Sequence, residues 1–85
     1  MNKNKILIEI YIPLIEKSYD IYIPISKTIG TIKKLLEKSL VELTEGSYQP
    51  STSTNLYNKE TGLIYDINKK VYETDLENGS KLILI

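Results

Sequence analysis

The hydrophobic repeat changes once in the first half of the chain, and that change limits what the chain can fold into. In residues 5–12, KILIEIYI, isoleucines at 6, 8, 10 and 12 alternate with Leu7, Glu9 and Tyr11. This is the period-two signature of a strand with two distinct faces. Alternation resumes in residues 19–25, YDIYIPI, where Tyr19, Ile21, Ile23 and Ile25 oppose Asp20, Tyr22 and Pro24. From Thr28 the spacing lengthens to threes and fours. Ile29, Ile32, Leu36, Leu40 and Leu43 then fall on one side of a helix predicted over 28–43, with Lys33, Lys34, Glu37, Lys38 and Glu42 on the wet side.

Local signals punctuate these elements. Pro13 ends the first strand, and residues 13–18 form a turn longer than a tight hairpin. Pro24 cannot donate to a ladder, so the second strand belongs at a sheet edge or ends there. Thr28 is the expected N-cap, Gly30 a small first-turn cost, and Gly46 the helix stop. Residues 44–54 are rich in Ser, Thr and Gly and read as a mobile loop without chemistry. In residues 55–67 the stretch Asn58 to Gly62 suits a turn with a left-handed glycine, closing a hairpin of two short strands. Residues 68–79 are a polar connection anchored by Val71 and Leu76, and Asn78-Gly79 signals a turn into a final strand, SKLILI. Its Leu82 and Leu84 share one face, and Ile83 and Ile85 the other. One helix can cover one face of such a four- to five-stranded sheet.

Composition narrows function. Eighty-five residues make one domain, 1–85, and no repeat or second domain is visible. There is no Cys, hence no disulfide, thiol nucleophile or thiolate metal site. There is no His, the commonest general base and metal ligand near neutrality, and no Arg for bidentate phosphate recognition. Eleven lysines balance eleven acidic residues, which argues against a nucleic-acid partner. Lys33, Lys34 and Lys38 are read as a solvated helix face. The basic-then-apolar N-terminus could pass for a signal peptide, but Glu9 interrupts it and no small-residue cleavage site follows. No stretch approaches a membrane span. The expectation is a cytoplasmic protein that is not inserted in a membrane.

Two segments carry a resemblance. YDIYIPISKTIGTIKKLLEKSL resembles the strand-then-helix unit of ubiquitin-like β-grasp proteins, and VYETDLENGSKLILI resembles their closing unit. Within that superfamily the chain is similar to the small YukD/EsaB-type proteins of Firmicutes type VII (WXG100, Esx-type) secretion, which carry NGDxLxI-like endings. Here the matching stretch is Asn78 to Ile85, with Ser80 in place of an acidic residue. The resemblance implies an α+β ubiquitin-like fold. It places the first and last strands side by side and parallel in the centre of a mixed sheet packed on one helix. It also implies an accessory or regulatory role, through contacts with a protein such as the membrane ATPase of the secretion machine, peripheral to the membrane.

That fold assigns Ile6, Ile8, Ile10, Ile21, Ile23, Leu82 and Leu84 to the helix. It leaves Leu7, Tyr11, Tyr22, Ile83 and Ile85 on the open face as the candidate partner-binding residues, bordered by Glu9 and Lys81. The alternative is that these side chains only supply β-propensity. Conjugation or sulfur transfer needs a flexible Gly-Gly tail after the last strand. The chain ends at Ile85, so a binding protein is expected, and a truncated sulfur carrier or modifier is the alternative. Asp66, Asp75 and Glu77 with Lys69 and Lys70 are the only enzyme candidates, and they form no nucleophile–base pair and no calcium-loop spacing. No catalytic residue, metal or cofactor is therefore expected. The second strand's edge or the open face leaves a binding module of another pathway, or a homodimer, as further readings.

Overall fold

The computed structural model describes residues 4–85. Strands β1 (Lys5–Ile12) and β2 (Lys17–Pro24) form an antiparallel hairpin, helix α1 spans Ile29–Leu43, and two shorter strands follow, β3 (Leu56–Asn58) and β4 (Lys81–Leu84). The sheet order is β2-β1-β4-β3, with β1 and β4 parallel and the other pairs antiparallel. This is the ubiquitin-like β-grasp arrangement, a mixed four-stranded sheet on one helix.

The period-two faces are realised as read. Ile8, Ile10, Ile12, Ile23, Leu82 and Leu84 are buried against Ile29, Ile32, Leu36 and Leu40 of α1, and Ile6 and Ile21 pack at the margin. Burial of each such side chain contributes about 1.5–3 kcal/mol. Val71 and Leu76 anchor the polar connection. β2 starts two residues before the expected Tyr19, because Lys17 and Ser18 already pair with Ile12 and Tyr11. The turn that makes this register is a single 3-10 turn over Pro13–Ile15, closed by Glu16 at φ 53°. As expected, Pro24 lies on an edge strand. Among the described residues no helix is long and apolar enough to cross a membrane. The basic start of the signal-peptide reading, residues 1–3, lies outside the described residues.

Both ends of α1 are built by specific bonds. Thr28 Oγ1 accepts from the Thr31 amide at 3.2 Å, the expected cap. The next free amides, Ile29 and Gly30, donate to the carbonyls of Lys69 and Ile67 at 2.8 and 2.9 Å. A Cβ at Gly30 would stand 3.2 Å from the Ile67 carbonyl oxygen. Gly30 therefore permits this close approach, and its helix-propensity cost is the lesser consideration. At the C-terminus the Gly46 amide reaches Val41 O and the Glu45 amide reaches Glu42 O, a Schellman pair. The left-handed residue next to the cap is Glu45, at φ 53°, with Gly46 following at φ 86°.

Five expectations are corrected. The second strand of the 55–67 hairpin is reduced to a single bridge, Tyr57 to Ile64. The turn itself forms as read, with Gly62 at φ 75° and Asn58 Oδ1 accepting from the Glu60 and Thr61 amides. After it the chain bends away toward Val71. Leu43 ends the helix largely exposed, although Leu40 in the same last turn is fully buried. Glu37, assigned to the wet side, is 5% exposed. The loop at 44–54, read as mobile, folds back over it. Glu37 Oε2 accepts from Tyr48 Oη and from the Ser51 amide, both at 3.0 Å. Glu37 Oε1 lies 3.2 Å from Lys33 Nζ, which donates in turn to Ser51 O at 3.0 Å. Lys33 therefore belongs to this buried cluster and not to a solvated face. Burial, aided by the adjacent Glu37 carboxylate, pushes the Tyr48 phenol up to about 12.

Candidate interaction face

Helix α1 covers one side of the sheet, and the other side is the candidate site. Register fixes its layout, because residues directly opposite one another point to the same face. One cross-strand row reads Ser18, Tyr11, Ile83, Tyr57 and Ile64, crossing β2, β1, β4, β3 and the bridging residue in turn. A second row, two residues further along, reads Asp20, Glu9 and Lys81. A third pairs Tyr22 with Leu7. Successive same-face rows are about 6.8 Å apart at the normal strand rise.

The five sequence-predicted residues do lie on this face, but not as one patch. Tyr11 and Ile83 are direct neighbours in the apolar row. Leu7 and Tyr22 are neighbours of each other, and the charged Asp20–Glu9–Lys81 row separates them from Tyr11 and Ile83. Ile85 is beyond the end of β4, 60% exposed, its amide and carbonyl paired with Asn55. Tyr57 and Ile64 were missed. Their place depends on how β3 pairs with β4, a contact between segments some two dozen residues apart that no local pattern encodes. Ile64, at 56% exposure, is the most open of the row's apolar and aromatic members.

Polar contacts hold this surface in shape. Lys59 Nζ sits 5.0 Å from the centroid of the Tyr11 ring and 4.0 Å from Glu9 Oε2, and its backbone amide donates to Lys81 O at 2.9 Å. Both charged groups are over a third exposed, so the pair itself is worth at most about 1 kcal/mol. Its effect is positional: it lays an alkyl stem and a cation over one end of the aromatic row. At the other end of β1, Leu7 donates to Asn78 Oδ1 at 2.7 Å and accepts from the Gly79 amide at 2.8 Å. The turn expected at Asn78-Gly79 thereby extends the sheet edge-on to Leu7.

Of the acidic and basic residues weighed as enzyme groups, Asp66, Asp75, Lys69 and Lys70 make structural contacts. Asp75 accepts from Tyr65 Oη at 2.9 Å and from Asn58 Nδ2 at 3.5 Å. Burial together with Asp75 raises the Tyr65 phenol to about 12. Asp66 Oδ1 caps the Asn68 amide. Lys69 and Lys70 contribute backbone groups to the start of α1 and to the bridge with Thr28.

No family model and no curated protein matches this chain. Solved structures do. The EccD5 ubiquitin-like domain from Mycobacterium xenopi superposes with a TM-score of 0.77 at 13% identity, covering 95% of this chain and 92% of that one. Caldiarchaeum subterraneum ubiquitin gives 0.69 at 16% identity, covering 95% and 91%. A chain of the MycP5-free ESX-5 inner membrane complex gives 0.76 at 11% identity, covering 96% of this chain but 21% of that one. At these identities the likeness is one of fold, and the chain has the ubiquitin-like β-grasp fold.

Proposed function

We propose that this chain is an accessory or regulatory protein of a bacterial type VII (WXG100/Esx) secretion system, of the YukD/EsaB kind, acting through non-covalent protein contact. The observation that carries the reading is the open-face row Tyr11–Ile83–Tyr57–Ile64. It is an apolar and aromatic strip with a charged row beside it, the composition that interface centres and rims share. The likeness of this fold to the EccD5 ubiquitin-like domain and to a chain of the ESX-5 inner membrane complex supports the assignment to secretion. The partner is then a component of the membrane machine such as its ATPase, and the protein works at the membrane periphery. The test is deletion of the gene, with complementation by the intact chain and by Tyr11→Ala/Ile83→Ala. Secretion of the WXG100 substrate should fall on deletion and return only with the intact chain. Unchanged secretion on deletion would contradict the proposal.

A further inference from the structure

The turn that leads into β4 carries an Asn-Gly pair, Asn78-Gly79, and both residues are exposed. Every other asparagine in the chain precedes lysine or leucine. A side-chain amide can be attacked by the backbone nitrogen of the next residue, and glycine places no Cβ beside that nitrogen. Gly79 sits at φ 89°, and a Cβ built there would meet no atom within 4 Å. The space beside the nucleophile is therefore open.

What restrains the pair is one residue of β1. The Leu7 amide donates to Asn78 Oδ1 at 2.7 Å, and the Leu7 carbonyl accepts from the Gly79 amide at 2.8 Å. The proton that must leave the Gly79 nitrogen is engaged, and the carbon it would attack is fixed through its own oxygen. Closing a ring between them requires both bonds to open. The next bond along runs from the Glu9 amide to Ser80 O at 2.9 Å. It begins the parallel pairing of Glu9 with Lys81, Ile10 with Leu82 and Tyr11 with Ile83. The Leu7 clasp is thus the first rung of the β1–β4 ladder.

We infer that Asn78-Gly79 is a deamidation site gated by the Leu7 clasp, and that one of its two products detaches β4 from β1. When the clasp opens, the Gly79 nitrogen gives up its proton to solvent and bonds to Asn78 Cγ. The Cγ–Nδ2 bond breaks, and the nitrogen leaves as ammonia with a proton taken back from solvent. The resulting succinimide takes up one water, with no oxidant or reductant involved. Opening at Cγ gives aspartate. Its carboxylate still accepts from Leu7, now as a charge-assisted bond, so the ladder keeps its first rung. Opening at the main-chain carbonyl gives isoaspartate, which adds a methylene to the backbone. The Gly79 amide and Ser80 carbonyl then cannot both meet Leu7 and Glu9, and the register that sets Ile83 beside Tyr11 is lost. The second product therefore takes apart the open-face row, which gives the chain a chemical lifetime as a binding protein.

The chemistry does not depend on the secretion reading, and either can fail alone. The full chain is incubated at mildly alkaline pH, folded and in urea. Each asparagine is followed by peptide mass mapping, with isoaspartate identified by isoaspartyl methyltransferase labelling. In urea Asn78 should react ahead of Asn55, Asn58 and Asn68. In the folded chain it should react at least about tenfold more slowly, by the same factor that protects the Gly79 amide from hydrogen exchange, because both need the clasp open. The isoaspartyl chain, separated by chromatography, should lose exchange protection at the Glu9 and Gly79 amides, whereas Asn78→Asp should keep both. Three results would overturn the inference. They are equal rates at Asn78 in the folded and unfolded chain, no reaction at Asn78 in urea, or an isoaspartyl chain that keeps its protection at Glu9 and Gly79.

Discussion

Replacing Glu37 by alanine should be among the most damaging single changes outside the aliphatic core. The side chain is 5% exposed and engages three groups at once: Lys33 Nζ at 3.2 Å, Tyr48 Oη at 3.0 Å and the Ser51 amide at 3.0 Å. Truncation strands a buried phenol and a part-buried amide, each costing about 1–3 kcal/mol when unpaired. It also leaves Lys33, whose side chain is 14% exposed, without its counter-charge. Removing one partner of a buried pair typically costs about 3–5 kcal/mol, and the same range applies here. A domain of this size has about 4–13 kcal/mol in total, and at about 4–8 °C per kcal/mol Glu37→Ala should lower Tm by roughly 12–40 °C. Glu37→Gln keeps one acceptor and should cost less. Urea unfolding followed by circular dichroism measures both, and a cycle with Tyr48→Phe isolates the Glu37–Tyr48 coupling, expected at about 1–2 kcal/mol. Limited proteolysis near Pro50 should accelerate in Glu37→Ala before global unfolding sets in. A loss below about 0.5 kcal/mol, the level of an ordinary surface position, would refute the claim that this carboxylate pins the loop.

Two further outcomes follow from the same structure. Glu45 holds the left-handed position after the helix cap at φ 53°, so Glu45→Gly should raise stability by about 0.5–1 kcal/mol in urea titrations. Stability should also fall in alkali. Tyr48 and Tyr65 both move from 10 to about 12, so between those values the unfolded chain has released protons that the folded chain still holds. Unfolding is then favoured as pH rises through that window. For the buried Tyr48 the loss is roughly 2–3 kcal/mol, and Tyr48→Phe should flatten the decline seen in urea titrations at successive pH values.

Most of the fold was legible because the chain is locally consistent. The isoleucine alternation in β1 and β2, the Thr28 cap, the three-four spacing of α1 and the Asn78-Gly79 turn all agree with the tertiary structure. The exceptions arise where a distant segment decides. Glu37 looked solvated because its partners, Tyr48 and Ser51, belong to a loop whose own sequence suggests mobility. The segment after Gly62 looked like a strand because Leu63, Ile64 and Tyr65 are good β-formers, yet its pairing stops at one bridge. The open face was half visible. Period two gave the side of the sheet for Leu7, Tyr11 and Ile83. Only the parallel register of β1 with β4 reveals that the Glu9–Lys81 row separates Leu7 from the other two, and only the β3–β4 register adds Tyr57.

The central claim is that the row Tyr11–Ile83–Tyr57–Ile64 meets a protein of a secretion machine. Photocrosslinking in cells tests it most directly, with p-benzoylphenylalanine introduced in turn at Tyr11, Tyr57 and Lys38, the last on the exposed side of α1. The account predicts adducts to one membrane component of the machine from Tyr11 and Tyr57, and none to it from Lys38. Adducts to that component from Lys38 alone, or none from either tyrosine position, would contradict it.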